Sequence, residues 1–296
     1  MNTQDILKLI GNTPLVESKN LVKNKHVRLL LKIEGNNPGG SLKDRPAYNM
    51  IVSALERGEI KKGDKLIEAT SGNTGIALAM IAQLLKIDIE LILPEDSTKE
   101  RIQTMRAYGA TVILTPASQG IIGSRDYADK KVASGGYVML NQFANADNWK
   151  AHYKTTGPEI WKDTNGIITH FVSAMGTTGT IIGTSTFLKE KNPNIQIVGA
   201  QPSDGSQIPG IRKWPKEYLP KIFDPSKVDT IMEVSEQEAR AMTKRLALEE
   251  GVFAGMSSGG AVSVAVKLAE QLESGVIVAI ICDRGDRYLS SDLFDC

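Results

Sequence analysis

Along this chain short apolar runs alternate with longer segments in which apolar residues recur at helical spacing, the pattern of strands and crossover helices in a mostly parallel sheet. The runs predict strands near Lys65–Ala69, Ile89–Leu93, Thr111–Leu114, Tyr137–Leu140, Ile168–Ser173, Ile195–Ala200 and Val276–Cys282. Helices are expected in the gaps, among them Ile76–Leu85 and Glu236–Glu250. One helix should start at Ser97, where Glu100 completes a capping box, and stop before Gly109. The longest irregular stretches, Glu34–Ser41 and Pro202–Pro225, belong at the carboxyl ends of strands, where open sheets of this kind bind ligands. No short-period repeat or low-complexity segment interrupts the pattern.

At 296 residues the chain is long enough for about two domains. Its 35 basic and 34 acidic side chains leave a formal charge of +1, so it lacks the electrostatic footprint of a nucleic-acid or anionic-membrane binder. No apolar run approaches the roughly 18 residues of a membrane span. The start, Met1-Asn2-Thr3-Gln4-Asp5, has no basic stretch followed by an apolar one, so export is not expected. With only Cys282 and Cys296 available for a disulfide, the simplest expectation is a reduced, cytoplasmic chain.

Four turns carry candidate chemistry. The first, Gly35-Asn36-Asn37-Pro38-Gly39-Gly40-Ser41-Leu42-Lys43-Asp44-Arg45, leads into a helix ending near Gly58. If Ser41 caps that helix, Lys43 sits at its positive end, and Arg45 adds repulsion. The ammonium form is then disfavoured and the neutral amine, a Schiff-base nucleophile, is easier to reach. A surface lysine in a capping turn is the plainer reading. The second, Gly176-Thr177-Thr178-Gly179-Thr180, follows a strand and precedes a helix, so freed amides and hydroxyls form a cradle for one phosphate. It lacks the lysine of a nucleotide-binding loop. A tight strand-to-helix turn would look the same.

The third turn, Thr70-Ser71-Gly72-Asn73-Thr74-Gly75, can receive a carboxylate by the same logic, or cap a helix. Glu95 lies about 20 residues on, where a dinucleotide fold places its ribose ligand, but the glycine spacing of such a fold is missing. The fourth, Gly255-Met256-Ser257-Ser258-Gly259-Gly260, formally matches a hydrolase elbow. A helix rather than a strand precedes it, and no histidine follows Ser257. His26, His152 and His170 share no metal-ligand spacing, so no metal is expected.

A poised lysine amine, a phosphate cradle, a carboxylate site and a neutral serine at another helix start together suit pyridoxal 5'-phosphate handling an α-amino acid. Asn37–Arg45, Thr70–Thr74, Gly176–Thr180 and Ser257–Gly259 resemble, in order and spacing, the fold type II pyridoxal-phosphate enzymes of the cysteine synthase (O-acetylserine sulfhydrylase) family, and the resemblance covers essentially the whole chain. The stretches 208–215 and 281–288 resemble that family's B-isozyme branch.

The resemblance implies a tryptophan synthase β-like α/β fold with two open, mostly parallel sheets flanked by helices. Residues 36–145 would form a smaller mobile domain. Residues 1–35 and 146–296 would form a larger one carrying the phosphate loop. It also implies that Lys43 carries the cofactor and acts as acid and base at the substrate Cα. Asn73 would meet the pyridoxal 3'-oxygen, Gly176, Thr177, Thr178, Gly179 and Thr180 the phosphate, and Ser257 the pyridine nitrogen. Thr70, Ser71, Gly72, Thr74 and Gln142 would hold the substrate carboxylate, and Arg212 and Cys282 are candidates for an anionic sulfur donor.

The implied reaction replaces the acetoxy group of O-acetylserine by sulfide or thiosulfate, giving cysteine or S-sulfocysteine and acetate, in a homodimer without nucleic-acid or membrane partners. An O-phosphoserine-dependent relative using sulfide or a protein thiocarboxylate, and a non-catalytic cofactor-binding relative, are the alternatives. Pro46 departs from the small residue of many relatives and is expected to shift the first helical turn. With the chain ending at Cys296, soon after Tyr288, any longer carboxyl tail of relatives is missing, and closure of the site is expected to rest more on the 202–225 loop.

Overall fold

A computed structural model describes residues 5–61, 63–70 and 72–295. The elements, in chain order, are β1 (Leu15–Glu17), β2 (Val27–Ile33), α1 (Asp44–Glu56), β3 (Lys65–Ala69), α2 (Asn73–Leu84), β4 (Asp88–Pro94), α3 (Lys99–Ala107), β5 (Thr111–Thr115) and α4 (Gly120–Ala133). They continue with α5 (Ala146–Lys154), α6 (Thr156–Asp163), β6 (His170–Ala174), α7 (Gly179–Lys191), β7 (Gln196–Pro202), β8 (Thr230–Val234), α8 (Glu236–Glu250), α9 (Met256–Gln271) and β9 (Gly275–Ile281). Two sheets result. One has the order β1-β2-β9-β6-β7-β8 and the other β3-β4-β5. All pairs are parallel except β1 with β2.

The central strand β9 reads Gly-Val-Ile-Val-Ala-Ile-Ile and is buried beyond its first residue, as expected where helices cover both faces of a parallel sheet. The largely apolar α2 packs with α1 onto the smaller sheet, in a core that includes Ile51, Leu66, Ile76 and Leu91. Helix α8 is held at its start by a reciprocal capping box between Ser235 and Glu238. No described helix is long and apolar enough to cross a membrane.

Several expectations are corrected. The segment 137–140 is not a full strand: it joins β3 through the single bridge Leu66–Val138. Strands β1, β2 and β8 were not anticipated. Helix α3 begins at Lys99 with Thr98 as cap and no side-chain capping bond, and Glu100 instead accepts from Ser290 Oγ at 2.6 Å. Pro46 leaves the start of α1 intact: it falls in the first turn, where a missing N–H costs no hydrogen bond, and Ala47 N reaches the Lys43 carbonyl at 3.0 Å. The 202–225 loop shares the cavity with the carboxyl-terminal segment, where Tyr288, Ser291 and Leu293 line the same space as Lys43.

Candidate active site

The carboxyl ends of neighbouring strands β6 and β9 open into a cavity of about 860 Å³. Lys43 reaches it as the cap residue of α1. Its turn is stitched to the end of β9 by the Ser41–Asp283 bridge and by Leu42 N donating to the Cys282 carbonyl at 2.9 Å. Ser41 does not cap the helix by its side chain; its Oγ accepts from Lys43 N at 3.1 Å. Burial lowers the Lys43 pKa, with Cys282 and Asp283 pulling the other way.

Desolvation therefore replaces the repulsion from Arg45 expected above. Arg45 points away from the amine into a buried ion-pair network, with Nε on Glu34 Oε2 at 2.7 Å and Nη1 on Glu159 Oε1 at 2.6 Å.

The second turn follows β6 and opens α7. Thr178 adopts φ +70°, a backbone conformation that β-branched residues rarely take and that concentrates at functional turns. Its Oγ1 is buried and meets no hydrogen-bond partner among the described residues, although buried hydroxyls are almost always satisfied. Thr180 Oγ1 lies 3.3 Å from His152 Nε2, and His152 Nδ1 lies 2.8 Å from Thr156 Oγ1. Burial drives the His152 pKa well down, so its ring is neutral. A Cβ at Gly176 would stand 2.7 Å from the Gly210 carbonyl oxygen, and Trp214 Nε1 donates to the Gly176 carbonyl at 2.7 Å. The 202–225 loop is thus fastened to this turn. Gly179 does not line the cavity; it packs against Asn148, where a Cβ would clash.

The start of α2 forms the opposite wall with Thr70, Gly72, Asn73 and Thr74. Thr74 Oγ1 donates to Gln142 Oε1 at 2.8 Å. Asn73 is oriented from both ends, donating to Asp283 Oδ2 at 2.7 Å and accepting from Arg287 Nη1 at 2.5 Å. Ser71 lies outside the described residues, as does Cys296. Ser257 enters from the first turn of α9, close to Gly210. Cys282 completes the floor; burial, with Asp283 nearby, pushes its thiol up to about 12, so it is a neutral wall group rather than a nucleophile. Arg212 shares the cavity with Arg101 and donates to the Ile208 and Ile211 carbonyls at 3.3 and 2.9 Å. It is therefore not simply solvated.

The sequence motifs did not single out Asp283, Arg287, Asn148 or His152 as site residues. Asp283 and Arg287 lie in the stretch 281–288, which carried a branch resemblance but no role for either, and Asn148 and His152 are polar residues on buried helix faces with no local motif. Glu95, the candidate ribose ligand of a dinucleotide fold, instead accepts from Ala117 N at 3.1 Å. Among the described residues no cluster suits a metal ion.

The residues fit pyridoxal phosphate. A desolvated amine, an unpartnered hydroxyl in a phosphate-sized turn at a helix start, and a neutral serine face one cavity. The sequence profile described as "Pyridoxal-phosphate dependent enzyme" matches residues 6–283. Cysteine synthase B of Pseudomonas aeruginosa is 58% identical over 290 residues, 98% of this chain and 97% of that one. Cysteine synthase B of Escherichia coli is 55% identical over 285 residues, 96% of this chain and 94% of that one. The crystal structure of cysteine synthase from Entamoeba histolytica superposes with a TM-score of 0.94 at 36% identity, covering 100% of this chain and 92% of that one. The fold is type II, and this chain belongs to the pyridoxal-phosphate dependent enzymes, in their cysteine synthase family.

Proposed function

We propose that this protein is a cysteine synthase that exchanges the acetoxy group of O-acetylserine for sulfide or thiosulfate, releasing acetate and cysteine or S-sulfocysteine. The observation that carries this reading is the largely buried Lys43 amine sharing one cavity with the Gly176–Thr180 turn and its unpartnered Thr178 hydroxyl. When bound, pyridoxal phosphate supplies an electron sink that acidifies the substrate Cα–H. Lys43 holds the cofactor and its amine takes the Cα proton. Thr177, Thr178 and Thr180, with the amides at the start of α7, hold the phosphate. Asn73, fixed by Asp283 and Arg287, faces the 3'-oxygen, and Ser257 faces the pyridine nitrogen without forcing its protonation.

Thr70, Ser71, Gly72, Thr74 and Gln142 hold the substrate carboxylate. Arg212 offers an anionic sulfur compound a charge-assisted donor, and the compact Cys282 leaves room beside it. Residues 36–145, which contain the smaller sheet, close over the substrate against 1–35 and 146–296. The protein works as a homodimer in the cytoplasm, and the buried free thiol of Cys282 is in keeping with a reducing compartment.

Purified holoprotein mixed with O-acetylserine and either sulfide or thiosulfate should yield cysteine or S-sulfocysteine by chromatography. No product from O-acetylserine with either acceptor refutes the proposal and favours a non-catalytic relative. Two guanidiniums, Arg101 and Arg212, on one cavity wall favour a second reading, in which O-phosphoserine is the donor and sulfide or a protein thiocarboxylate the acceptor. A higher kcat/KM for O-phosphoserine than for O-acetylserine would decide for it.

A further inference from the structure

Glu68 lies in β3 two residues before Thr70, is 3% exposed, and has no part in the chemistry above. Its carboxylate oxygens accept from two consecutive backbone amides, Oε2 from Asn141 at 3.0 Å and Oε1 from Gln142 at 3.2 Å. Asn141 sits at φ +54°, in the left-handed region that non-glycine residues seldom adopt. The turn held in this way presents Gln142. The Gln142 side chain accepts from Thr74, and the Gln142 backbone carbonyl accepts from Asn148 Nδ2 at 2.7 Å. The same Nδ2 is 3.3 Å from Thr177 Oγ1. One buried acid thus stands at the root of contacts running to the α2 turn and to the phosphate turn.

We propose that Glu68 is a positioning residue whose ionised carboxylate clamps the Asn141 and Gln142 amides and so fixes Gln142 where, with Thr74, it receives the substrate carboxylate. The proposal rests on the function given above. A carboxylate suits the task because both of its oxygens accept, whereas an amide offers one acceptor and turns its NH2 against the other N–H. The charged groups that bear on Glu68 are Arg125 and Asp129, both on α4. Its neighbour on β4 is the apolar Leu91, and Tyr137 of the adjoining segment donates its hydroxyl to Glu90. Burial raises the Glu68 pKa to about 7 against the pull of the two amides and Arg125, with Asp129 adding to the rise. The clamp is complete above that pH and weakens as the carboxyl protonates below it.

The test has two arms. In the wild-type holoenzyme the amide signals of Asn141 and Gln142 should titrate with a midpoint of about 7, and in Glu68→Gln they should not. Losing a charge-assisted pair of this kind should raise the KM for O-acetylserine about tenfold at about pH 8, with kcat and cofactor content little changed. Beyond the titration of the substrate's own amine, shared by both proteins, wild-type KM should show a further rise with a midpoint of about 7 as pH falls, and the variant's should lack it. Amides that do not titrate in the wild type refute the clamp itself, a measurement that stands even where the variant fails to fold. Titrating amides with an unchanged KM in the variant refute its role toward substrate. A wild type that binds no O-acetylserine refutes instead the function on which the proposal rests.

Discussion

Replacing Arg45 by alanine should unfold the base of α1, and the network around it sets the size of the effect. Arg45 is 2% exposed and is forked onto Glu34 by two bonds of 2.7 Å and onto Glu159 by bonds of 2.6 and 2.7 Å. Without it, Glu34, wholly buried, keeps among the described residues only Thr13 Oγ1 at 2.6 Å and Asn37 Nδ2 at 3.0 Å as side-chain donors. Neither donor carries charge. Breaking one side of a buried pair costs about 3–5 kcal/mol, because the remaining charge is stranded rather than because the pair itself is worth that much. At roughly 2–4 °C per kcal/mol for chains of this size class, Tm should fall by about 10 °C. Thermal unfolding should be followed by circular dichroism at the same excess of cofactor for both proteins, since ligand binding shifts Tm by mass action. The double variant Arg45→Ala/Glu34→Gln should recover part of the loss. A cost below about 1 kcal/mol, or a double variant worse than the single, would show that the pair behaves as a surface ion pair and would refute the reasoning.

The same network sets the acid limit of stability. Against the cost of burial, the Arg45 hydrogen bonds and charge, together with Lys32, hold Glu159 down at about 2, below its ordinary 4.5. A lowered carboxylate pKa gives stability that is present above 4.5 and lost as pH falls toward 2, so urea unfolding of the wild type should weaken across that window and that of Arg45→Ala much less. Asp44, raised by burial to about 7, contributes with the opposite sign between its ordinary 3.8 and 7, so it does not account for the loss below 4.5. Gly176→Ala places a Cβ 2.7 Å from the Gly210 carbonyl, and cofactor affinity measured by fluorescence should drop about tenfold or more; unchanged affinity would mean that the turn and the 210 loop are not mutually fixed. Cys282, with its thiol near 12, should resist iodoacetamide at about pH 8 in the folded holoenzyme and react in urea, as read by peptide mapping; rapid labelling of the native protein would contradict that burial.

How far the sequence could be read depended on whether the deciding contact was local. Strand β3 and helix α8 were read with the boundaries they have, because their periodicity is written in adjacent residues; the Ser235–Glu238 capping box and the left-handed Gly251 that fix the ends of α8 are equally local. Strand β8 was missed because it is an edge strand, exposed along most of its length and without alternation. The capping box expected at Ser97 lost to a partner 190 residues away, Ser290. The four turns were legible as glycine- and hydroxyl-rich breaks after or before apolar runs, and the cavity brings them together. What lowers the Lys43 pKa was not legible. Local spacing pointed to Arg45, but two carboxylates from Glu34 and Glu159 neutralise that charge, and burial beside the end of β9 does the work instead. Asn73 shows the same limit: its orientation depends on Asp283 and Arg287, 210 and 214 residues further along the chain.

The central claim is that the Lys43 amine holds the cofactor, and covalent trapping tests it most directly. The purified holoprotein is reduced with borohydride, digested, and searched by mass spectrometry for the lysine that carries a phosphopyridoxyl group. The account predicts that group on the peptide containing Lys43 and on no other. The group found on a different lysine, or on none while the visible absorbance of bound pyridoxal is present, would contradict it.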